Sequence, residues 1–189
     1  MGQKMYQIKG FLQKEFHYTD YQYEQIKYVF LSFASEASKM LLLFLFFLFF
    51  SKIPELIVAT VVLLSVRIFT GGLHMKHYFS CFFVSFLIFF LGIFVLPNLI
   101  TISTLGMIFI LNICIVLVYI CGPILSVYRP PITSEQKKSN SIKAATSILI
   151  YMYIIFVLPS NGCLYVGFWM IVLQTLQLGL AKILIKRKE

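Results

Sequence analysis

The sequence predicts an all-α, polytopic membrane protein with about six transmembrane helices and an N-terminal amphipathic helix. Three observations predict it. Only 12% of the 189 residues are charged, whereas a soluble domain usually carries about a quarter. Hydrophobic types make up 60% of the chain, 20 of them phenylalanine, and the mean hydropathy is +0.90. Apolar runs recur at lengths able to cross a hydrocarbon layer about 30 Å thick, which helices cross because they satisfy their own backbone polar groups. Nothing is left over for a separate soluble domain, so residues 1–189 read as one integral membrane domain. Its parts are an interfacial N-terminal segment (1–30), a transmembrane bundle (31–180) and a basic tail (181–189).

The first thirty residues mix Lys4, Lys9, Lys14, Glu15, Asp20, Glu24 and Lys27 with Tyr and Gln, and lack the early apolar core of a signal peptide. From Tyr21 to Lys39 the apolar positions Ile26, Phe30, Phe33 and Ala37 recur three or four apart. That spacing suits an amphipathic helix on the membrane surface or one packed on loops. The run Met40 to Phe50 becomes long enough to span if its helix starts near Leu31. Ser51-Lys52-Ile53-Pro54-Glu55 is a turn, since proline suits the first turn of a new helix, and Leu56 to Phe69 is a short second span. Tyr78 to Leu96 is the third, and Pro97-Asn98 predicts a tight turn into the fourth, Ile100 to Cys121, which ends at Gly122-Pro123. A polar, solvent-facing loop is expected from Tyr128 to Lys143. The fifth and sixth spans are Ala144 to Leu158 and Cys163 to Leu180.

An even number of spans puts both termini on one side, and fifteen of the sixteen basic residues then fall on that side, Lys52 alone opposite. The positive-inside rule makes the termini cytoplasmic, together with the stretch around residue 74 and the loop after Gly122. Orientation and attraction to anionic lipid account for much of the net charge of +9; nucleic acid is excluded as a partner because no soluble module presents that charge.

The chemistry concentrates in residues 67 to 85. Two of the three histidines, His74 and His77, lie here with Arg67, Gly71-Gly72, Lys76 and Cys81 between apolar stretches. A thiol with a neighbouring imidazole is the minimum for nucleophilic catalysis by cysteine. On an unbroken helix Cys81 would sit roughly 10 Å along the axis from His74 at 1.5 Å per residue, whereas His77 is one turn away. Spacing alone therefore favours His77 as the partner. His74 can reach the thiol only if Gly71-Gly72 turns the chain, which positive φ permits. Backbone N–H groups exposed at such a turn are candidate donors to an oxyanion. Cys114, Cys121 and Cys163 have no charged or histidine neighbours in sequence and read as packing residues, and His17 as a surface residue.

Arg67-x-x-x-Gly71-Gly72-x-His74-x-Lys76, followed by Cys81, resembles the central motif of the accessory gene regulator protein B (AgrB) family, membrane endopeptidases of Gram-positive quorum sensing. Tyr21-x-x-Glu24, Gly122-Pro123, Arg129-Pro130-Pro131-Ile132 and Lys137-Lys138 extend the resemblance over most of the chain. Thr70 departs from the alanine frequent before the glycines, a change expected to be harmless, and His77 is an extra histidine. The resemblance implies that Cys81 is the nucleophile and His74 the base. It also implies a short AgrD-like propeptide as substrate, cut to release a charged C-terminal tail and closed into a thiolactone or lactone. Arg67, Lys76, Lys137 and Lys138 are then candidates to hold an acidic tail. No carboxylate adjoins the motif, so a Cys-His dyad is expected. No cofactor is implied, and metal chemistry lacks a His-Glu-x-x-His motif. A homodimer is plausible on family grounds. The competing class, a peptide exporter or permease-like membrane protein, would share the six spans but has no need of a cysteine after Gly-Gly-x-His; charges that would line a transport path are almost absent from the span interiors.

Overall fold

The computed structural model describes residues 19–72, 78–124, 132–158 and 161–186. Six helices among them are long and apolar enough to cross a membrane. They are α1 (Asp20–Phe49), α2 (Ile53–Thr70), α3 (Tyr78–Leu99), α4 (Thr104–Cys121), α5 (Ser134–Val157) and α6 (Gly162–Lys186). The chain is a multi-pass membrane protein. It divides into two compact units, Met1–Leu42 with Val127–Pro130, and Leu43–Ser126 with Pro131–Glu189.

In the first unit α1 opens on a reciprocal cap. Thr19 Oγ1 accepts from the Gln22 N–H at 3.3 Å, and Gln22 Oε1 accepts from the Thr19 N–H at 2.8 Å. The polar residues that follow pair along the helix, Lys27 with Glu24 at 3.2 Å and Lys39 with Glu36 at 2.7 Å. With no proline or glycine between Asp20 and Phe49 to interrupt the backbone, the amphipathic segment and the first span are one helix of 30 residues. Such a helix is about 45 Å long at 1.5 Å per residue, more than the hydrocarbon layer requires. Ile26, Phe30, Phe33 and Ala37 all face outward.

The second unit is built around α6, the most buried of the helices, with Phe168, Met170, Ile171, Gln174, Leu178 and Ala181 enclosed. Helices α2 and α4 pack on both α5 and α6. Close approach is bought at small residues: a Cβ at Gly167 would meet the Tyr151 hydroxyl at 2.1 Å, and one at Gly92 the Met170 sulfur at 2.6 Å. The Tyr151 hydroxyl donates to the Leu164 carbonyl at 2.7 Å, and Ser147 Oγ to the Ser65 carbonyl at 3.1 Å. Phe47 is fully buried and stacked on Phe94, which ends a ladder with Phe86 and Phe90 at helical spacing. Outward positions are apolar as well, Leu105, Phe109 and Phe156 among them, as expected for a surface bathed in lipid.

Two expected boundaries are corrected. Pro97-Asn98 is not a turn between spans: α3 runs through it to Leu99. Proline has no N–H to give the Ile93 carbonyl and its ring crowds that turn. The helix absorbs this in a π turn over Leu91–Val95, where the Leu96 N–H bonds five residues back to the Leu91 carbonyl. The polar stretch expected as a loop to Lys143 is helical from Ser134. Thr133 and Gln136 form a capping box that starts α5 well before its apolar part. Its first turns are exposed from Glu135 to Ser139.

Candidate active site

Helix α2 ends where its sequence changes from β-branched and aliphatic residues to Gly71-Gly72. Gly71 takes φ 71° and ψ −151°, a conformation essentially confined to glycine. Its N–H closes the helix on the Arg67 carbonyl at 2.8 Å. A Cβ there would lie 2.1 Å from the Ile124 carbonyl oxygen, so no other residue fits. Ile124 follows Gly122-Pro123, whose peptide bond is cis. It donates its N–H to the Thr70 carbonyl at 2.9 Å and forms an isolated parallel bridge with Gly71. Two glycine motifs far apart in sequence thus meet at one end of the bundle.

A third element completes the junction. Gln174 of α6, fully buried, donates its Nε2 to the Gly71 carbonyl at 3.0 Å and to Thr70 Oγ1 at 3.3 Å. Its Oε1 is buried without a hydrogen-bond partner among the described residues, an arrangement that costs about 1–3 kcal/mol. Gln177, one turn on, likewise holds an unpaired buried oxygen. Neither residue belongs to a motif, although an amide inside an apolar run such as Cys163 to Leu180 is itself a signal, since polar groups in a membrane are expensive. Thr70 is buried, and its hydroxyl accepts from Gln174 Nε2 and reaches the Val66 carbonyl at 3.1 Å.

Arg67 lies half-buried in the last turn of α2, and its guanidinium flanks Gly72: a Cβ on Gly72 would sit 3.3 Å from Nε. Cys81 is 7% exposed and faces inward from α3, while Phe79 and Phe83 beside it face outward. No disulfide engages it. Lys137 and Lys138 are exposed just inside the start of α5, where the positive end of the helix dipole adds to their charge. His74, Lys76 and His77 lie outside the described residues, as do Arg129, Pro130 and Pro131. Among the described residues no group of three or more His, Cys, Asp and Glu side chains is arranged to hold a metal.

The family model of accessory gene regulator B matches residues 5–178. The chain belongs to the AgrB family. The matched region takes in the Gly71 turn, Cys81, the Gly122-Pro123 turn and Gln174 alike. AgrB membership places the chain in the processing of an autoinducer peptide for quorum sensing, with a peptide of the AgrD kind as substrate. Comparisons with curated proteins and with solved structures give no match.

Proposed function

We propose that the chain is a membrane cysteine endopeptidase that removes the C-terminal tail of its propeptide and leaves the peptide as a macrocyclic thiolactone or lactone. The AgrB match across the Arg67-x-x-x-Gly71-Gly72-x-His74 motif and Cys81 carries this reading. In it, His74 takes the thiol proton of Cys81 and the thiolate attacks the scissile carbonyl. The tetrahedral intermediate collapses, the tail leaves as an amine carrying the proton returned by His74, and a thioester to Cys81 remains. A Cys or Ser side chain of the peptide attacks that thioester. The ring closes and the Cys81 thiol is released.

Water competes for the thioester, and the inward setting of Cys81 between outward-facing Phe79 and Phe83 favours capture by the tethered nucleophile. Arg67, Lys76, Lys137 and Lys138 hold the acidic tail; the exposed lysines at the positive end of α5 are suited to that task. Both termini and the site lie on the cytoplasmic side of the cell membrane. The whole chain works as one peptidase domain, as a homodimer or a monomer.

The test is processing of the propeptide by wild type, Cys81→Ala, His74→Ala and His77→Ala in membranes. Tail removal is lost in the first two variants and kept in the third. Activity that depends on His77 and not His74 would move the base. Full processing by folded Cys81→Ala would leave the exporter class in its place.

A further inference from the structure

Two consecutive peptide units leave α2, and their polar groups are almost all engaged. The Thr70–Gly71 unit is held on both sides, its carbonyl by the Ile124 N–H and its N–H by the Arg67 carbonyl. The Gly71–Gly72 unit is held on its carbonyl side alone, by Gln174 Nε2 at 3.0 Å with the Thr70 hydroxyl at 3.3 Å. No hydrogen bond among the described residues uses the Gly72 N–H. A trans peptide is planar, with its C=O and N–H opposed. Fixing the Gly71 carbonyl on Gln174 therefore fixes the direction of the Gly72 N–H, away from α6. The Arg67 guanidinium flanks that same residue and adds positive potential there.

We propose that the Gly72 N–H is the oxyanion donor of this site and that Gln174 is the positioning residue that aims it. The inference rests on the peptidase reading and goes beyond it in dividing the glycine pair. Gly71 shapes the turn and spends its N–H closing the helix, whereas Gly72 keeps its own for the substrate carbonyl as negative charge develops on it. A preorganised donor of this kind works because no dipole has to turn during reaction. The unpaired Oε1 fits the same account. Leucine or methionine would fill the space without burying an unpaired oxygen, so packing does not explain an amide at this position.

The experiment compares two reactions of Cys81 in the full chain, purified in lipid nanodiscs. Tail removal passes through an oxyanion; alkylation by iodoacetamide needs only the thiolate. Gln174→Met is expected to lower kcat for tail removal roughly 10- to 100-fold, with KM within about twofold. The rate and pH profile of Cys81 alkylation, read by mass spectrometry, stay as in wild type. Unchanged kcat overturns the proposal, and so does alkylation falling in parallel with cleavage, which marks a packing role. Gln174→Asn, an amide one methylene short of Gly71, carries the same expectation if the methionine variant does not fold. Cys81→Ala run alongside separates the two failures. Processing by that variant removes the peptidase reading; its inactivity beside a fully active Gln174→Met removes only the positioning role.

Discussion

Ile124 and Thr70, at the ends of α4 and α2, are joined by a backbone hydrogen bond of 2.9 Å. Through it the Gly122-Pro123 turn braces the Gly71-Gly72 turn, and residues remote in sequence become one piece of backbone. Ile124 leaves no space for a side chain at Gly71.

Gly71→Ala and Gly72→Ala should accordingly behave differently. Alanine at Gly71 meets the Ile124 carbonyl and must adopt a disfavoured φ, costing on the order of 1–3 kcal/mol from the backbone alone. Alanine at Gly72 meets only the movable Arg67 side chain, and its cost should stay within about 1 kcal/mol. Thermal unfolding in detergent checks the order: a clear drop in Tm for the first, little for the second.

Tyr151 and Gly167 form a packing pair remote from the site. Tyr151→Phe removes the hydrogen bond to the Leu164 carbonyl and should cost about 0.5–1.5 kcal/mol with peptide processing unchanged. Gly167→Ala overpacks against the same ring, at about 1–3 kcal/mol. In a Tyr151→Leu background it should cost less, and a double-mutant cycle measures that coupling.

If Lys137 and Lys138 hold an acidic tail, replacing both with Gln should raise KM roughly 2- to 30-fold with kcat unchanged, the range given by two exposed charge pairs. The difference from wild type should shrink in high salt. Steady-state kinetics at two ionic strengths give the answer, and a fall in kcat alone would count against the assignment.

Lys52, the basic residue expected on the far side, pairs with Glu55 at 2.6 Å, so that end of α2 carries little net charge. In intact cells a membrane-impermeant maleimide should label Lys52→Cys, whereas Lys138→Cys should react only after permeabilisation. The opposite pattern would invert the topology.

The six spans were legible because each is a run of apolar residues closed by glycine, proline or polar punctuation. Family membership was legible in the motif from Arg67 to Cys81. The unbroken α1 was not, because Lys27, Glu24, Glu36 and Lys39 look like an interfacial segment in sequence yet pair along one helix. Thr133-x-x-Gln136 was a readable start signal for α5, obscured by the prolines and lysines around it. The grip of Gln174 on Gly71 joins residues 103 positions apart, and no local pattern encodes such a contact. What the sequence offered there was only a polar residue where apolar ones belong.

The π turn in α3 also sets a phase. Relative to an unbroken α-helix it inserts one residue, and each residue turns an α-helix by about 100°. The azimuth of Cys81 about its own helix is therefore geared to Leu91–Val95. Were that stretch to rewind as ordinary α-helix with every residue kept and the Pro97 end held in place, Cys81 would turn by about 100° away from its inward setting, whereas deleting one residue there would remove the insertion and leave the thiol facing as it does.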